Sequence, residues 1–106
     1  MNITVIGCGR WGSLITWYLD RTGHRVTLYG RDGSARMQRF LETRSNDLLT
    51  LPESVALCTD LSCAKDAEVI IISIGSQSLR GLMQELQGMA LRNKTFVLCM
   101  KGLEIG

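Results

Sequence analysis

The chain has 106 residues, 45% of them hydrophobic and 21% charged, and twelve basic against ten acidic side chains leave a formal charge of +2. This length fits one domain, and the composition excludes a disordered chain. No apolar run approaches the length that crosses a bilayer, and the N-terminus lacks the features of a secretory signal, so we expect a soluble, cytoplasmic protein. The sequence contains no basic run and no stripe of basic and aromatic residues, which argues against nucleic acid as a partner.

The first half of the chain predicts strand, helix, strand and helix in turn. β-Branched residues predict a strand over Asn2–Ile6, and the next apolar residues recur at the spacing of one helix face. That face contains Trp11, Leu14, Ile15, Tyr18 and Leu19. Gly23 then provides a left-handed helix end. A second strand is predicted over 26–29 and a loop over 45–54. The helix between them has an apolar side made of Met37, Phe40 and Leu41.

The second half continues the alternation. A third strand is predicted over 55–59 and a short helix over Leu61–Asp66. The clearest strand covers residues 68–74, because five of the six residues from Val69 to Ile74 are aliphatic, which indicates burial on both faces. A fifth strand is predicted over 94–100, with Val97 and Cys99 expected in the core of the sheet. The helix between the last two strands has an apolar face made of Leu79, Leu82, Met83 and Leu86.

This alternation predicts a doubly wound parallel sheet with right-handed crossovers and helices on both faces. We expect the strand order 3-2-1-4-5. The order reverses between strands 1 and 4, and ligands of such sheets bind at this switch point, outside the carboxyl ends of the strands. The candidate ligand-binding residues are therefore 7–12, 30–32, 73–78 and 101–102.

The segment Gly7-Cys8-Gly9-Arg10-Trp11-Gly12 fits the pattern G-x-G-x-x-G. It follows the first strand directly and opens an amphipathic helix, a context typical of the dinucleotide-binding turn of a Rossmann-type fold. Gly7 would make the tight turn, Gly9 would let a pyrophosphate approach the backbone, and Gly12 would let the helix pack close to the strand. The helix N-terminus would offer N–H groups to the phosphates. The alternative is a glycine-rich turn that binds nothing.

The end of the second strand bears on the choice of cofactor. An acid about twenty residues after the glycine motif favours NAD, and a nearby arginine favours NADP. Here Gly30 is followed by Arg31 and then by Asp32, so a cation stands nearer the strand than the acid does. Asp32 has a second interpretation as the N-cap of the next helix. The sequence favours NADPH, or tolerance of both cofactors.

Four further residues have both a functional and a structural interpretation. Lys101 follows strand 5, where an ammonium can meet an anionic substrate, but a solvated lysine also ends many strands. Trp11 is a core anchor or a cofactor neighbour, and Arg10 reaches a pyrophosphate or faces water. Cys8 is a reactive thiol near a helix N-terminus or a small residue among glycines.

The remaining cysteines and the histidine suggest no metal site. The four cysteines contain no C-x-x-C pair, and His24 is the only histidine that could join them. We therefore expect four free thiols and no metal. His24 follows the Gly23 helix end and is predicted to be a turn residue, not a general base.

Together these residues resemble bacterial NAD(P)-dependent glycerol-3-phosphate dehydrogenases. The resemblance rests on residues 1–12, residues 23–31, Ser76-Gln77 and the closing Lys101-Gly102-Leu103-Glu104, and it spans the whole chain. It implies reversible hydride transfer between dihydroxyacetone phosphate and sn-glycerol 3-phosphate, with NADP or NAD as cofactor, feeding phospholipid synthesis. It also implies cofactor contacts by Arg10, Trp11 and Arg31, and a Lys101 that lies by the nicotinamide and contacts the substrate.

The chain departs from this family at two positions and in length. Arg10 stands where the family usually has a small serine, and Gly75 stands where a proline commonly follows the fourth strand. Similar enzymes continue into a helical domain that supplies the catalytic lysine and most of the substrate pocket. We therefore expect residues 1–106 to be a cofactor-binding domain of a longer protein, with no catalytic residue and no turnover of its own.

A non-catalytic nucleotide-sensing module, such as the regulatory domains of potassium transport systems, is the alternative from another functional class. It uses the same glycine fingerprint without hydride chemistry. The cation after strand 2 and Lys101-Gly102 after strand 5 favour the dehydrogenase domain, because an NAD sensor would more naturally carry an acid after strand 2.

Overall fold

A computed structural model of the protein describes residues 1–89 and 91–99. Its centre is a parallel sheet in the order β3-β2-β1-β4-β5, as the alternation of elements predicts. The strands are β1 (Asn2–Ile6), β2 (Arg25–Tyr29), β3 (Ala56–Cys58), β4 (Val69–Ile72) and β5 (Thr95–Leu98). The helices are α1 (Arg10–Arg21), α2 (Ala35–Thr43), α3 (Ser76–Gly88) and a short 3-10 helix over Leu61–Asp66. None of the described helices is long and apolar enough to cross a membrane.

The central strand β1 pairs with β2 on one side and β4 on the other. Its last residue, Ile6, lies beside Tyr29 of β2 and Ile72 of β4. Because the three strands end in register, the chain segments that follow them leave the sheet at the same edge. This register brings the glycine motif, Gly30 and Ser73 together.

Apolar side chains from alternate strand positions build a core on each face of the sheet. Ile3, Val5 and Ile71 pack with Met37 and Phe40 of α2 on one face. The other face is formed by Ile6, Ile70 and Ile72, which pack with Leu82 and Leu86 of α3 and with the 3-10 helix. The helices therefore lie on both faces, as predicted, and three consecutive residues of β4 are buried.

The buried face of α1 agrees only in part with the one that its apolar spacing predicts, because Ile15 and Leu19 pack against the core but the other large residues of that face are exposed. Gly12, Ser13 and Thr16 are buried, whereas Trp11 is 46% exposed and Tyr18 is 61% exposed. Small residues face the sheet because the helix begins close against the glycine turn. The two hydroxyls cost little to bury, since Ser13 Oγ donates to the Arg10 carbonyl at 3.0 Å and Thr16 Oγ1 donates to the Gly12 carbonyl at 2.8 Å. The interpretation of Trp11 as a core anchor is therefore wrong.

Helix α2 starts two residues later than an Asp32 N-cap would require. Ser34 is the N-cap, and its Oγ accepts the Met37 N–H at 3.4 Å. Asp32 is exposed in the preceding turn, where Gly33 has a φ of +87°. Serine is as good an N-cap as aspartate, so the turn geometry decides between them.

Strand β5 forms the outer edge of the described sheet. Phe96, Val97 and Leu98 are 42%, 39% and 56% exposed. Val97 is therefore not a core residue, contrary to the expectation for a fifth strand buried by its neighbours. The exposed apolar side chains leave this strand without a covering layer in the described part of the chain.

Candidate functional site

A cleft of about 520 Å³ opens at the carboxyl edge of the sheet, where β1, β2 and β4 end. This is the switch point at which the strand order predicts a ligand site. The glycine turn, the segments after β2 and β4, and one side of α3 line it. Its lining includes five of the seven residues predicted to bind the cofactor: Gly7, Gly9, Arg10, Trp11 and Arg31. Gly12 lies below the turn, and Lys101 and Gly102 lie outside the described residues.

Two glycines of the motif are required by the fold itself. Gly7 has a φ of +117°, and a Cβ there would lie 2.1 Å from the Ser73 carbonyl oxygen. A Cβ on Gly12 would lie 1.8 Å from the Gly7 carbonyl oxygen. Both contacts are with backbone, which cannot move aside without separating α1 or β4 from the turn. Gly7 thus makes the tight turn and Gly12 the close helix packing, as the sequence predicts.

Gly9 is different, because nothing in the fold demands a glycine there. Its φ of −75° suits any residue. A Cβ at this position would meet only Nη1 of Arg36, at 3.1 Å, which is the far end of a flexible side chain. Gly9 lines the cleft, so the space that its missing side chain leaves is open to a ligand. A bound pyrophosphate fits this arrangement.

The start of α1 offers hydrogen-bond donors to the same space. Gly9 is its N-cap and makes no side-chain cap, and the first turn contains no acidic residue. The backbone N–H groups of the first turn are therefore free to donate hydrogen bonds to an anion, which the positive end of the helix dipole also attracts. Arg10 lines the cleft beside them.

Packing against Met37 leaves room only for a glycine at position 30, directly after β2. A Cβ there would lie 2.7 Å from Sδ and 2.8 Å from Cβ of Met37, which is buried in the core. An acidic side chain, which would accept the ribose hydroxyl of NAD, has no room at this position. Arg31 lines the cleft and is exposed, whereas Asp32 is not among the lining residues. The end of β2 therefore presents a cation to the cleft.

Two titratable groups of the cleft, Cys8 and Tyr29, have raised pKa values, which favours their neutral forms. Burial raises the pKa of the Cys8 thiol, and hydrogen bonding from Ser34 and the charge of Arg36 only partly oppose it. This direction is opposite to that of a reactive thiolate. Burial, reinforced by the charge of Glu85, likewise raises the pKa of Tyr29. The cleft binds through its shape and its cations rather than through an activated nucleophile.

His24 lies away from this site. It precedes β2, at the edge of the sheet opposite the cleft, and its backbone N–H donates to the Leu19 carbonyl. Gly23 before it has a φ of +98°, the left-handed helix end that the sequence predicts. His24 is therefore a turn residue, as predicted.

Ser34 and Arg36 are among the lining residues that sequence reasoning missed. Both belong to the start of α2. An N-cap at Asp32 would place them inside the helix, and they were therefore not considered as cleft residues. Ser34 is itself a favourable N-cap residue, so a helix starting at Ala35 would have put Arg36 in the first turn, facing the glycine motif. That alternative start was the one available signal.

Comparisons with known proteins place these features in a family. The protein-family model that describes the N-terminus of NAD-dependent glycerol-3-phosphate dehydrogenases matches residues 2–106. A glycerol-3-phosphate dehydrogenase [NAD(P)+] from Thermoanaerobacter sp. (strain X514) is 32% identical over 98% of the chain, and one from Bradyrhizobium sp. (strain ORS 278) is 35% identical over 97%. The chain spans about a third of the length of these curated relatives, 32% in both cases.

Solved structures share the fold. Glycerol-3-phosphate dehydrogenase from Coxiella burnetii aligns over 94% of the chain and 32% of its own length, with a TM-score of 0.83 and 19% identity. A ketopantoate reductase from Ralstonia eutropha aligns over 94% of the chain and 34% of its own length, with a TM-score of 0.76 and 17% identity. The family match covers the glycine motif and the closing Lys-Gly-Leu-Glu segment together, which separates this chain from a nucleotide-sensing module. The chain belongs to the N-terminal, NAD(P)-binding domain family of the glycerol-3-phosphate dehydrogenases.

Proposed function

We propose that this chain is the cofactor-binding part of an enzyme that transfers hydride between NAD(P)H and dihydroxyacetone phosphate, giving sn-glycerol 3-phosphate for phospholipid synthesis. The observation that carries the proposal is Gly9. Its backbone conformation and its neighbours would both accept a side chain, so the glycine is explained by a ligand that approaches the backbone there. Bound NAD(P)H would supply the hydride.

The motif residues divide the work of holding the cofactor. Gly7 and Gly12 shape the turn, and Gly9 leaves room for the pyrophosphate. Arg10 and the first-turn N–H groups of α1 meet its negative charge. Trp11, half exposed at the mouth of the cleft, contacts the cofactor through its ring.

Arg31 favours NADPH over NADH. The 2′-phosphate distinguishes the two cofactors, and a cation after β2 is the residue type that accommodates it. Because Met37 fills the space beside Gly30, an acid that would repel this phosphate is excluded from the end of β2.

The rest of the catalytic machinery belongs to a longer protein. We infer that residues 1–106 form the cofactor domain and that a helical domain beyond them supplies the catalytic base and the substrate phosphate site. The exposed apolar side chains of β5 support this inference, since an apolar edge is normally covered. We place the enzyme in the cytoplasm, with no nucleic-acid partner.

Lys101 is proposed as the substrate-binding cation and cofactor neighbour of the complete enzyme, on the strength of its motif. A preorganised cation aimed at a developing alkoxide helps the transition state more than the bound ground state. Lys101→Ala in the complete enzyme should therefore lower kcat by about 10²–10³ and leave the Kd for NADPH nearly unchanged. A kcat close to the wild-type value would refute this role.

Titration calorimetry of the 106-residue chain with NADPH and NADH tests the proposal. We expect both to bind, NADPH at least as tightly as NADH, and we expect Arg31→Ala to weaken NADPH selectively. Tighter binding of NADH, unchanged in Arg31→Ala, would refute the NADPH preference alone. If neither nucleotide bound to the folded chain, the proposed function itself would be refuted. Steady oxidation of NADPH by dihydroxyacetone phosphate with this chain alone would refute the division of labour between the two domains.

A further inference from the structure

Arg36 is a cation of the cleft that the glycine motif does not account for. It is the second residue of α2, and its guanidinium reaches across to the turn, where Nη1 lies 3.1 Å from the Cβ position of Gly9. It also lines a second cleft of about 450 Å³ between α2 and the loop that follows it. Arg36 therefore stands at the boundary between the two clefts.

The charge of Arg36 has no partner within residues 1–89 and 91–99. The salt bridge described for α2 joins Arg39, one turn later, to Asp47 at 3.0 Å. Arg39 lines the second cleft but not the first. One helix therefore presents two arginines, of which one is already paired and the other faces both the cleft and solvent.

The neighbours of Arg36 indicate which part of a dinucleotide it meets. Hydrogen bonding from Ser34 and the charge of Arg36 both lower the pKa of Cys8, against the larger effect of burial, so both side chains lie near the residue between the first two glycines. They approach the turn from the side of β2, where Arg31 also lines the cleft. In this fold the residues after the second strand read the adenosine ribose, whereas the start of α1 meets the pyrophosphate. Ser34 Oγ accepts the Met37 N–H, and its O–H lies near the Cys8 thiol. Because a neutral thiol is a weak acceptor, a bound phosphate oxygen would take this donor in its place.

We propose that Arg36 is a specificity-determining residue that binds the 2′-phosphate of NADPH together with Arg31 and Ser34. A planar guanidinium offers two parallel donors to phosphate oxygens, and the Ser34 hydroxyl offers one more. The inference rests on the proposed function, because it assigns a subsite within the same cleft. Arg10, which belongs to the start of α1, serves the pyrophosphate that both cofactors share.

Calorimetric titration of three variants separates these roles. Arg36→Ala should weaken NADPH by about tenfold to a hundredfold, the worth of one hydrogen-bonded charge, and should change NADH by less than about threefold. Arg39→Ala is the matched control, one turn along the same helix, and should leave both affinities unchanged. Arg10→Ser should weaken both nucleotides by similar factors. Adenosine 2′,5′-bisphosphate against 5′-AMP provides the same comparison without the nicotinamide half.

Each result has one meaning. A selective loss of NADPH and of adenosine 2′,5′-bisphosphate in Arg36→Ala, partly restored in Arg36→Lys, supports the assignment. Equal weakening of NADPH and NADH would overturn it, because Arg36 would then serve the pyrophosphate. Unchanged affinities in Arg36→Ala would also overturn it and leave the proposed function intact. Failure of the wild-type chain to bind either nucleotide would instead refute the proposed function.

Discussion

The substitution Gly9→Val separates the requirements of the fold from those of the ligand. With a φ of −75° and only the mobile Arg36 guanidinium within 4 Å of its Cβ position, residue 9 accepts a branched side chain. The cost to folding is that of a poor N-cap, about 1 kcal/mol. The valine methyl groups would occupy space that the pyrophosphate needs.

The loss of affinity can be sized from the hydrogen bonds at the start of α1. A hydrogen bond to a charged group contributes about 1.5–3 kcal/mol, so losing two such bonds costs about 3–6 kcal/mol. This corresponds to a Kd for NADPH raised by about 10² to 10⁴. Calorimetry measures the Kd, and circular dichroism during urea unfolding measures the cost to the fold.

The same change at Gly81 provides the control. Gly81 lies in α3, where a Cβ would meet nothing within 4 Å, and it is not among the residues that line the cleft. Gly81→Val should therefore bind NADPH as the wild type does. A folded Gly9→Val variant with wild-type affinity would show that the glycine motif is a structural turn and would refute the reasoning.

Three further predictions concern stability and thiol reactivity. Gly12→Ala should destabilise the fold by about 1–3 kcal/mol or more, because its Cβ would lie 1.8 Å from the Gly7 carbonyl oxygen; a change below about 0.5 kcal/mol in urea unfolding would contradict this contact. Gly75→Pro should stabilise the chain by about 0.4–1 kcal/mol, since φ is already −67° and nothing lies within 4 Å of its Cβ position, and a lowered melting temperature would refute the prediction. Burial, followed by hydrogen bonding with Cys58, raises the pKa of Cys63 to about 12, so this thiol should react with a disulfide reagent at pH 8 far more slowly than it does in urea. Its stabilising contribution is complete below pH 9 and is lost as the pH rises from 9 towards 12; equal labelling rates in the folded and unfolded chains would contradict the assignment.

The topology was predictable because each strand can be recognised from its own short segment of sequence. The run of β-branched residues in β1 and the consecutive aliphatic residues of β4 leave few alternatives, and the handedness of crossovers then fixes the strand order. The roles of Gly7 and Gly12 follow in the same way, since the motif specifies a turn geometry that the structure repeats.

The errors arise where close packing or a local competition decides. Apolar spacing predicts Trp11 and Tyr18 on the buried face of α1, yet Ser13 and Thr16 are buried instead, because the helix approaches the glycine turn more closely than large side chains permit. Hydropathy contains no information about that distance. The exposure of β5 could not be predicted from the sequence either, since it depends on what covers the edge of the sheet.

The candidate site shows the same limit. The glycine motif identified Gly9, and the position after the second strand identified Arg31, but the placement of Arg36 depends on where α2 begins. Asp32 and Ser34 are both good N-caps, and a shift of two residues turns a helix position by about 200°. Sequence alone does not decide between these starts, and the hydrogen bond from the Met37 N–H to Ser34 Oγ does.

The central claim is that a dinucleotide binds at the carboxyl edge of this sheet, and amide chemical shifts of the ¹⁵N-labelled chain test it most directly. On titration with NADPH we expect the largest shifts within the segments 7–12, 30–36 and 73–75, which contain most of the residues that line the cleft. The amides of Asn2, Arg25 and Glu68, at the opposite edge, should stay in place. Largest shifts at that opposite edge, or no shifts at saturating NADPH, would contradict the account.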